Sequence, residues 1–449
     1  MPRKRKTPAP AADAATTAPK RTRKRAQLLK GFKDVLPKDE QYWDHVNRVI
    51  GKAASQYGYG KIQTPVLEDA GLFVRTVGKG TDIVSKEMFR FIDQGGDDIC
   101  LRPEETAPVV RAYIEHGMQN LPQPVKLYYH LPMFRRENPQ AGRLRGFYQF
   151  GFEILGAGGP VVDAQMILIA HNICLDAGLK PGEVTVQINS IGNETSREEY
   201  IKELTNYFRS KRKYLTAEEK KRLTKNPLRL LDALMTSKRE YFEDAPQILD
   251  WLDEESKNHF MGVLEVLDAL EVPYVLNPFL VRGLDYYSHT VFEIWPTDKE
   301  GKSQSAIGSG GRYDGLAEIL GGQETPACGF AFGTERLILA LKEHEVKLKA
   351  KKMPEIFLAQ IGQQGKVQAM KLFEKFRKEG VGAYENFSKD SLKAQLDQAN
   401  KLGVKYTLIV GQKEVLDGTV LVRDMESGVQ EIINSDKVTS EMRKKLGSK

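Results

Sequence analysis

The 449-residue chain predicts an α+β fold: an antiparallel sheet flanked by helices, interrupted by a helical insertion and followed by a small α/β domain. Three observations predict it. Two aromatic-rich apolar runs between Val125 and Leu155 flank a polar loop, the pattern of a long hairpin. Residues 193–270 are charged and largely of helical character. The last hundred residues alternate strand and helix patterns, which implies a mixed sheet.

Taken in order, residues 1–26 are rich in Ala, Pro, Thr, Lys and Arg without apolar periodicity, and a disordered basic tail is expected over 1–30. Trp43, Val46, Val49, Ile50, Ala53 and Tyr57 recur at helical spacing, and Gly58 ends that helix. Tyr59–Val66 reads as a strand, with Pro65 marking an edge or an irregularity. The hairpin runs from Val125–Glu137 through the loop Asn138–Gly146 to Phe147–Leu155. A helix is expected from about Val162 to Ala177, then the insertion at 193–270. Strands return between Tyr274 and Ala340, with a glycine-rich turn at Gly308–Gly311 and a helix after Gly333. The charged connector Leu341–Met353 sets off a last domain, 354–449, from a catalytic one, 31–345. That last domain reads as strand Ile356–Gly362, a helix to Gly380, helix Lys389–Leu402, and strands Tyr406–Gly411 and Thr419–Asp424.

Composition narrows the class. No apolar run approaches 18 residues, and the charged N-terminus lacks the apolar core of a secretory signal. Three separated cysteines (Cys100, Cys174, Cys328) offer neither a disulfide framework nor metal spacing. A cytoplasmic protein, with no membrane partner and no metal centre, is expected. The net charge of +7 divides into +9 for residues 1–30, +5 for residues 351–449 and −7 for the middle. Basic ends around an acidic body suit a polyanionic partner, although the tail reads equally well as a solubilising extension.

The hairpin carries the first chemistry. Alternation puts Tyr148, Phe150, Phe152 and Ile154 on one face and Gln149, Gly151 and Glu153 on the other. That polar row reads as an ordinary half-solvated face, or as room for a ligand at the bare Gly151. Arg135 ends the first strand and the loop adds Arg143 and Arg145, planar cations suited to phosphate oxygens. No phosphate-binding glycine loop exists in the chain, so any nucleotide must be held by arginines.

The segment Tyr129–Glu153, YHLPMFRRENPQAGRLRGFYQFGFE, resembles motif 2 of class II aminoacyl-tRNA synthetases in its histidyl form. Tyr57–Glu68 is similar to motif 1 and Gly329–Leu337, GFAFGTERL, to motif 3. Leu280–Tyr287 (LVRGLDYY), Gly310–Leu316 (GGRYDGL) and Leu101–Thr106 (LRPEET) resemble segments of the histidyl enzymes and their close relatives. The likeness covers about residues 31–445.

The resemblance implies a class II synthetase catalytic core with a C-terminal anticodon-binding domain, working as a homodimer on ATP, L-histidine and tRNA-His, with Mg2+. It implies Arg135 at the α-phosphate, Arg336 at the γ-phosphate, and Arg282 between substrate carboxylate and α-phosphate. Glu137 and Arg143 complete the ATP site. Glu104, Thr106 and Gln149 serve the substrate ammonium, while Glu153 and Tyr287 serve the imidazole with Tyr286 beside them. The chemistry suits these residue types: a carboxylate attacks a phosphoryl group, both anionic, so fixed cations are the main catalytic device.

Three departures from the family pattern stand out. Glu105 occupies a place usually held by a small residue and is expected to add a carboxylate beside the ammonium site. Gly146 and Tyr148 replace a Gln and a His. Thr334 replaces an aliphatic residue. Two other readings share the fold, a regulatory subunit of histidine biosynthesis and a purely RNA-sensing module. Retention of the C-terminal domain and of all three arginines argues against both.

Overall fold

The computed structural model describes residues 25–78, 81–235, 242, 244–297, 306–348 and 353–447. Residues 1–24 of the expected basic tail lie outside that set. The chain forms two compact units dividing after Leu348.

In the first unit the strands are β1 (Gly60–Lys61), β2 (Leu67–Asp69), β3 (Phe89–Ile92), β4 (Asp98–Leu101), β5 (Val125–Phe134), β6 (Gly146–Leu155), β7 (Val184–Ser190), β8 (Tyr274–Leu276), β9 (Ser288–Pro296), β10 (Gly308–Arg312) and β11 (Ala327–Gly333). Eight of them form one sheet in the order β1-β5-β6-β11-β10-β9-β7-β8. Its six central strands pair antiparallel, and the short β1 and β8 pair parallel at the edges. A second sheet, β2-β4-β3, stands apart.

One face of the large sheet is dry. Phe150 stacks on Phe332 (ring centroids 5.1 Å apart) and Phe152 on Phe330 (5.3 Å), locking β6 to β11 in register. Over them lie the helices Glu40–Tyr57, through Val46, Val49, Ile50 and Ala53, and Pro160–Asp176, through Met166, Ile167, Ala170 and Ile173. The helix Glu40–Tyr57 stops where expected, at Gly58 in the left-handed conformation (φ 74°). The opposite face of the sheet holds the cavity described below.

Several expectations are revised. The run Tyr59–Val66 pairs only at Gly60–Lys61, because the buried Arg102 guanidinium takes the Thr64 and Pro65 carbonyls at 2.9 and 3.2 Å. Gly308–Gly311 is a central strand, not a turn. A Cβ at Gly308 would strike the Phe332 ring, and one at Gly310 the Gly329 carbonyl, so glycine is required there for sheet packing. Residues 193–270 are helical, in Glu194–Ser210, Ala217–Lys225, Pro227–Met235 and Glu254–Ala269. The last of these sends Phe260, Val263 and Leu267 into the same core as Pro160–Asp176.

The second unit has strands β12 (Ile356–Gln360), β13 (Tyr384–Glu385), β14 (Tyr406–Val410), β15 (Thr419–Asp424) and β16 (Gln430–Asn434) in the order β13-β12-β14-β15-β16. Pairing is parallel on both sides of β12 and antiparallel from β14 onward, the mixed sheet expected. The short β13, the edge strand β16 and the helices Gln412–Asp417 and Val438–Lys445 carry too little apolar pattern to be read in advance.

Candidate active site

A cavity of about 440 Å³ opens on the polar face of the large sheet. Arg135, Arg143, Arg282 and Arg336 line it, from four separated segments, together with Glu104, Glu105, Thr106, Glu137, Gln149, Tyr286 and Tyr287. Every proposed site residue except Glu153 reaches this wall.

Each arginine is held by its own surroundings. Arg135, just past the end of β5, donates Nε–H to the Pro103 carbonyl (2.8 Å) and lies 5.5 Å over the Phe147 ring. Arg336, in the first turn of the Thr334–Glu343 helix, donates to Gly142 O (3.1 Å) and Ala306 O (2.8 Å). Arg282 donates to Glu293 and to the Ser309 hydroxyl and sits 5.6 Å over the Tyr287 ring. Its Nε is buried without a hydrogen-bond partner. Arg143 pairs with Glu137 at 3.5 Å. Arg145 turns away, donating to the Glu137 carbonyl (3.1 Å).

The cations are undercompensated. Burial, then the neighbouring Arg143 and Arg135, pull the Arg336 guanidinium down to about 10. A cluster that depresses its own pKa values is a site for a polyanion. Burial also works against the charge of Arg282, but Glu293 outweighs it and the pKa is raised.

At the other end the Glu104 carboxylate accepts the Thr106 and Ala107 amides (2.8 and 3.0 Å), fixing the start of the helix Thr106–Glu115. Thr106 Oγ1 donates to Glu153 (2.9 Å), and Tyr313 donates to the other Glu153 oxygen. Glu153 thus lies one side-chain layer behind the wall, flat on the sheet. Gly329 opposite it is obligatory, since a Cβ there would collide with the carboxylate. Burial pushes Glu153 up to about 8. The space above Gly151 is filled by the phenol of Tyr129, whose hydroxyl occupies the place of a Cβ.

Glu105 reaches the wall but does not offer its carboxylate there. One oxygen accepts from Thr64 Oγ1 (2.5 Å) and the other stands 3.4 Å from Arg102, both side chains being buried. Thr334 is likewise accounted for: its hydroxyl lies 3.0 Å from Nε2 of His130, whose Nδ1 meets Asn47 at 2.7 Å. A polar pair spans β5 and the helix that carries Arg336. Burial holds that imidazole neutral, with a pKa of about 4.

Sequence reasoning missed the part played by the insertion. Arg222, Arg229 and Asp232 line the cavity, and Arg229 holds Asp285 of the Arg282 segment at 3.1 Å. Their helical spacing carried no signal separating them from a solvated face.

An antiparallel sheet with arginines converging on an anion cavity beside a polar pocket is the catalytic core of a class II aminoacyl-tRNA synthetase. Residues 31–337 match the family model of histidyl-tRNA synthetase and residues 355–445 that of an anticodon-binding domain. Histidine--tRNA ligase of Dehalococcoides mccartyi is 45% identical over 420 residues, 94% of this chain and 100% of that protein. The crystal structure of apo S. aureus histidyl-tRNA synthetase superposes with a TM-score of 0.76 at 36% identity, covering 93% of this chain and 99% of that one. A Bacillus halodurans C protein described as an ATP phosphoribosyltransferase regulatory subunit/histidyl-tRNA synthetase shares the fold alone. It is 20% identical with a TM-score of 0.60, over 86% of this chain and 98% of that one. The chain belongs to the histidyl-tRNA synthetase family.

Proposed function

We propose that Arg135, Arg282 and Arg336 form the activation site at which this chain, as a histidine--tRNA ligase, joins L-histidine to ATP before passing it to tRNA-His. The observation that carries the assignment is the convergence of these three guanidiniums, 147 and 54 residues apart in sequence, on one cavity (Arg135 to Arg282, Arg282 to Arg336).

In this reading the histidine carboxylate attacks the α-phosphorus and pyrophosphate leaves. Arg135 holds the α-phosphate, Arg282 spans the attacking carboxylate and the α-phosphate, and Arg336 holds the γ-phosphate, with Arg143 and Glu137 beside it. Charge grows on the phosphoryl oxygens in the transition state, and cations already fixed by Pro103, Glu293, Ser309, Gly142 and Ala306 meet it without reorganising. The unpartnered Nε of Arg282 supplies a donor for the incoming anions. No side-chain nucleophile is needed. Mg2+ enters with ATP and neutralises phosphate charge; Glu137 and Glu293 are wall carboxylates that would share it, each already engaged by an arginine.

The ammonium group is taken by Glu104, Thr106 and Gln149, whose Oε1 is buried without a partner. Glu153 accepts the ring N–H, and Tyr286 and Tyr287 line the imidazole. We assign the chain to the cytoplasm, in keeping with three buried free cysteines and with no helix among the described residues long and apolar enough to cross a membrane. A homodimer is proposed through the motif 1 side, where Val66, Leu67, Phe91 and Ile92 are exposed on and beside the small sheet.

Histidine-dependent exchange of labelled pyrophosphate into ATP tests the activity; absence of exchange overturns it. Arg282→Ala is expected to lower the activation rate at least a hundredfold, about 3 kcal/mol of transition-state stabilisation, while histidine affinity changes less. An unchanged rate removes Arg282 from its role.

A further inference from the structure

We propose that the hydroxyl of Tyr129 recognises the substrate imidazole, donating to the ring nitrogen that carries no proton. The inference rests on the assignment of Glu153 as acceptor of the ring N–H.

Tyr129 stands on β5 directly opposite Gly151 of β6, so its side chain rises from the sheet between Gln149 and Glu153, on their face. The residue is fully buried and forms part of the cavity wall, yet its hydroxyl has no hydrogen-bond partner. The surroundings make this notable. Glu153 is served by Thr106 and Tyr313, Glu104 by two amides, and Glu105 by Thr64, so each acidic neighbour has donors of its own. Gly151 is bare so that the phenol can lie over the strand, since a Cβ would collide with the hydroxyl and with the Phe330 carbonyl.

The protein thus keeps a glycine in a central strand to seat a hydroxyl that it does not use itself. A buried polar atom without a partner weakens folding, and such an atom on the wall of a substrate cavity has its partner in the substrate. Burial, then Glu153, Glu105 and Glu104, hold the phenol protonated, so it is a donor. A neutral imidazole presents one N–H and one bare nitrogen; Glu153 complements the first and Tyr129 the second, which fixes the tautomer. Tyr287, held against Arg282, is left to pack on the side of the ring.

The test is Tyr129→Phe, which removes one oxygen and leaves the shape. The KM for histidine in pyrophosphate exchange is expected to rise about tenfold or more, with kcat and the KM for ATP within about twofold. The melting temperature of the free protein is expected to stay level or rise, because an unsatisfied group is lost, while the shift on adding histidine shrinks. Inhibition by 2-thienylalanine, whose ring has no nitrogen, is expected to be unchanged. A fall in the free protein's melting temperature would mean that the hydroxyl has a structural partner, and overturns the proposal. Equal weakening of histidine and 2-thienylalanine would place it at the ammonium end, and also overturns it. Wild-type protein that exchanges normally beside an unaffected Tyr129→Phe variant refutes this inference alone; wild-type protein that does not exchange refutes the function.

Discussion

Replacing Arg336 by methionine separates catalytic from structural cations. In the free protein this guanidinium is pulled from 12.5 to about 10 by burial and by Arg143 and Arg135. At about 1.4 kcal/mol per pH unit, that is on the order of 3 kcal/mol of unfavourable charging that Arg336→Met relieves. Against this stand two hydrogen bonds, to Gly142 and Ala306, worth about 1 kcal/mol each, and the cost of leaving both carbonyls unpaired. The two sides nearly cancel, so the free variant is expected to keep its stability within about 1 kcal/mol, unusual for truncation of a largely buried arginine. Binding reverses the sign: once the triphosphate is in place the same charge is compensated. Exchange measured against ATP concentration should then show kcat/KM lowered by about 10²–10³, or roughly 3–4 kcal/mol. The stabilisation of the protein by saturating ATP should shrink in parallel. A variant destabilised by more than about 2 kcal/mol yet nearly as active would show that Arg336 holds the helix Thr334–Glu343 in place instead of a phosphate.

Glu105 should behave in the opposite way. Glu105→Ala leaves Arg102 buried with carbonyl partners only and is expected to cost about 3 kcal/mol in denaturant unfolding, while Glu105→Gln costs much less and neither changes the KM for histidine severalfold. A large KM effect in a stable Glu105→Gln variant would return the carboxylate to the substrate. For Glu153 the sign follows from its pKa of about 8 in the folded protein, above the ordinary 4.5. The folded state retains a proton that the unfolded state gives up, so this group's contribution to stability is complete below about pH 4.5 and is lost as pH rises through 8. Melting temperatures between pH 5 and 8.5 should therefore fall less steeply in Glu153→Gln than in the wild type; identical slopes would show that Glu153 ionises normally.

What the sequence determined by itself is the set of elements with strong period or strong punctuation. The helix ending at Gly58, the hairpin strands around Arg135 and the strand Thr419–Asp424 could be read because their apolar spacing matches one secondary structure only. The motif arginines were legible because phosphate chemistry admits few side chains.

Tertiary structure decided everything that depends on a neighbour from elsewhere in the chain. Gly308–Gly311 has the composition of a turn and becomes a central strand because Phe332 and the Gly329 carbonyl fill the space of its side chains. Glu105 looks like a substrate ligand until Arg102 and Thr64 claim it. Gly151 promised room that the phenol of Tyr129 occupies. Arg222, Arg229 and Asp232 of the insertion join the cavity although no local pattern sends them there. The physical reason is common to all four. Backbone periodicity is a property of a segment, whereas which buried polar group pairs with which is settled only when distant segments are packed and each donor must find its acceptor.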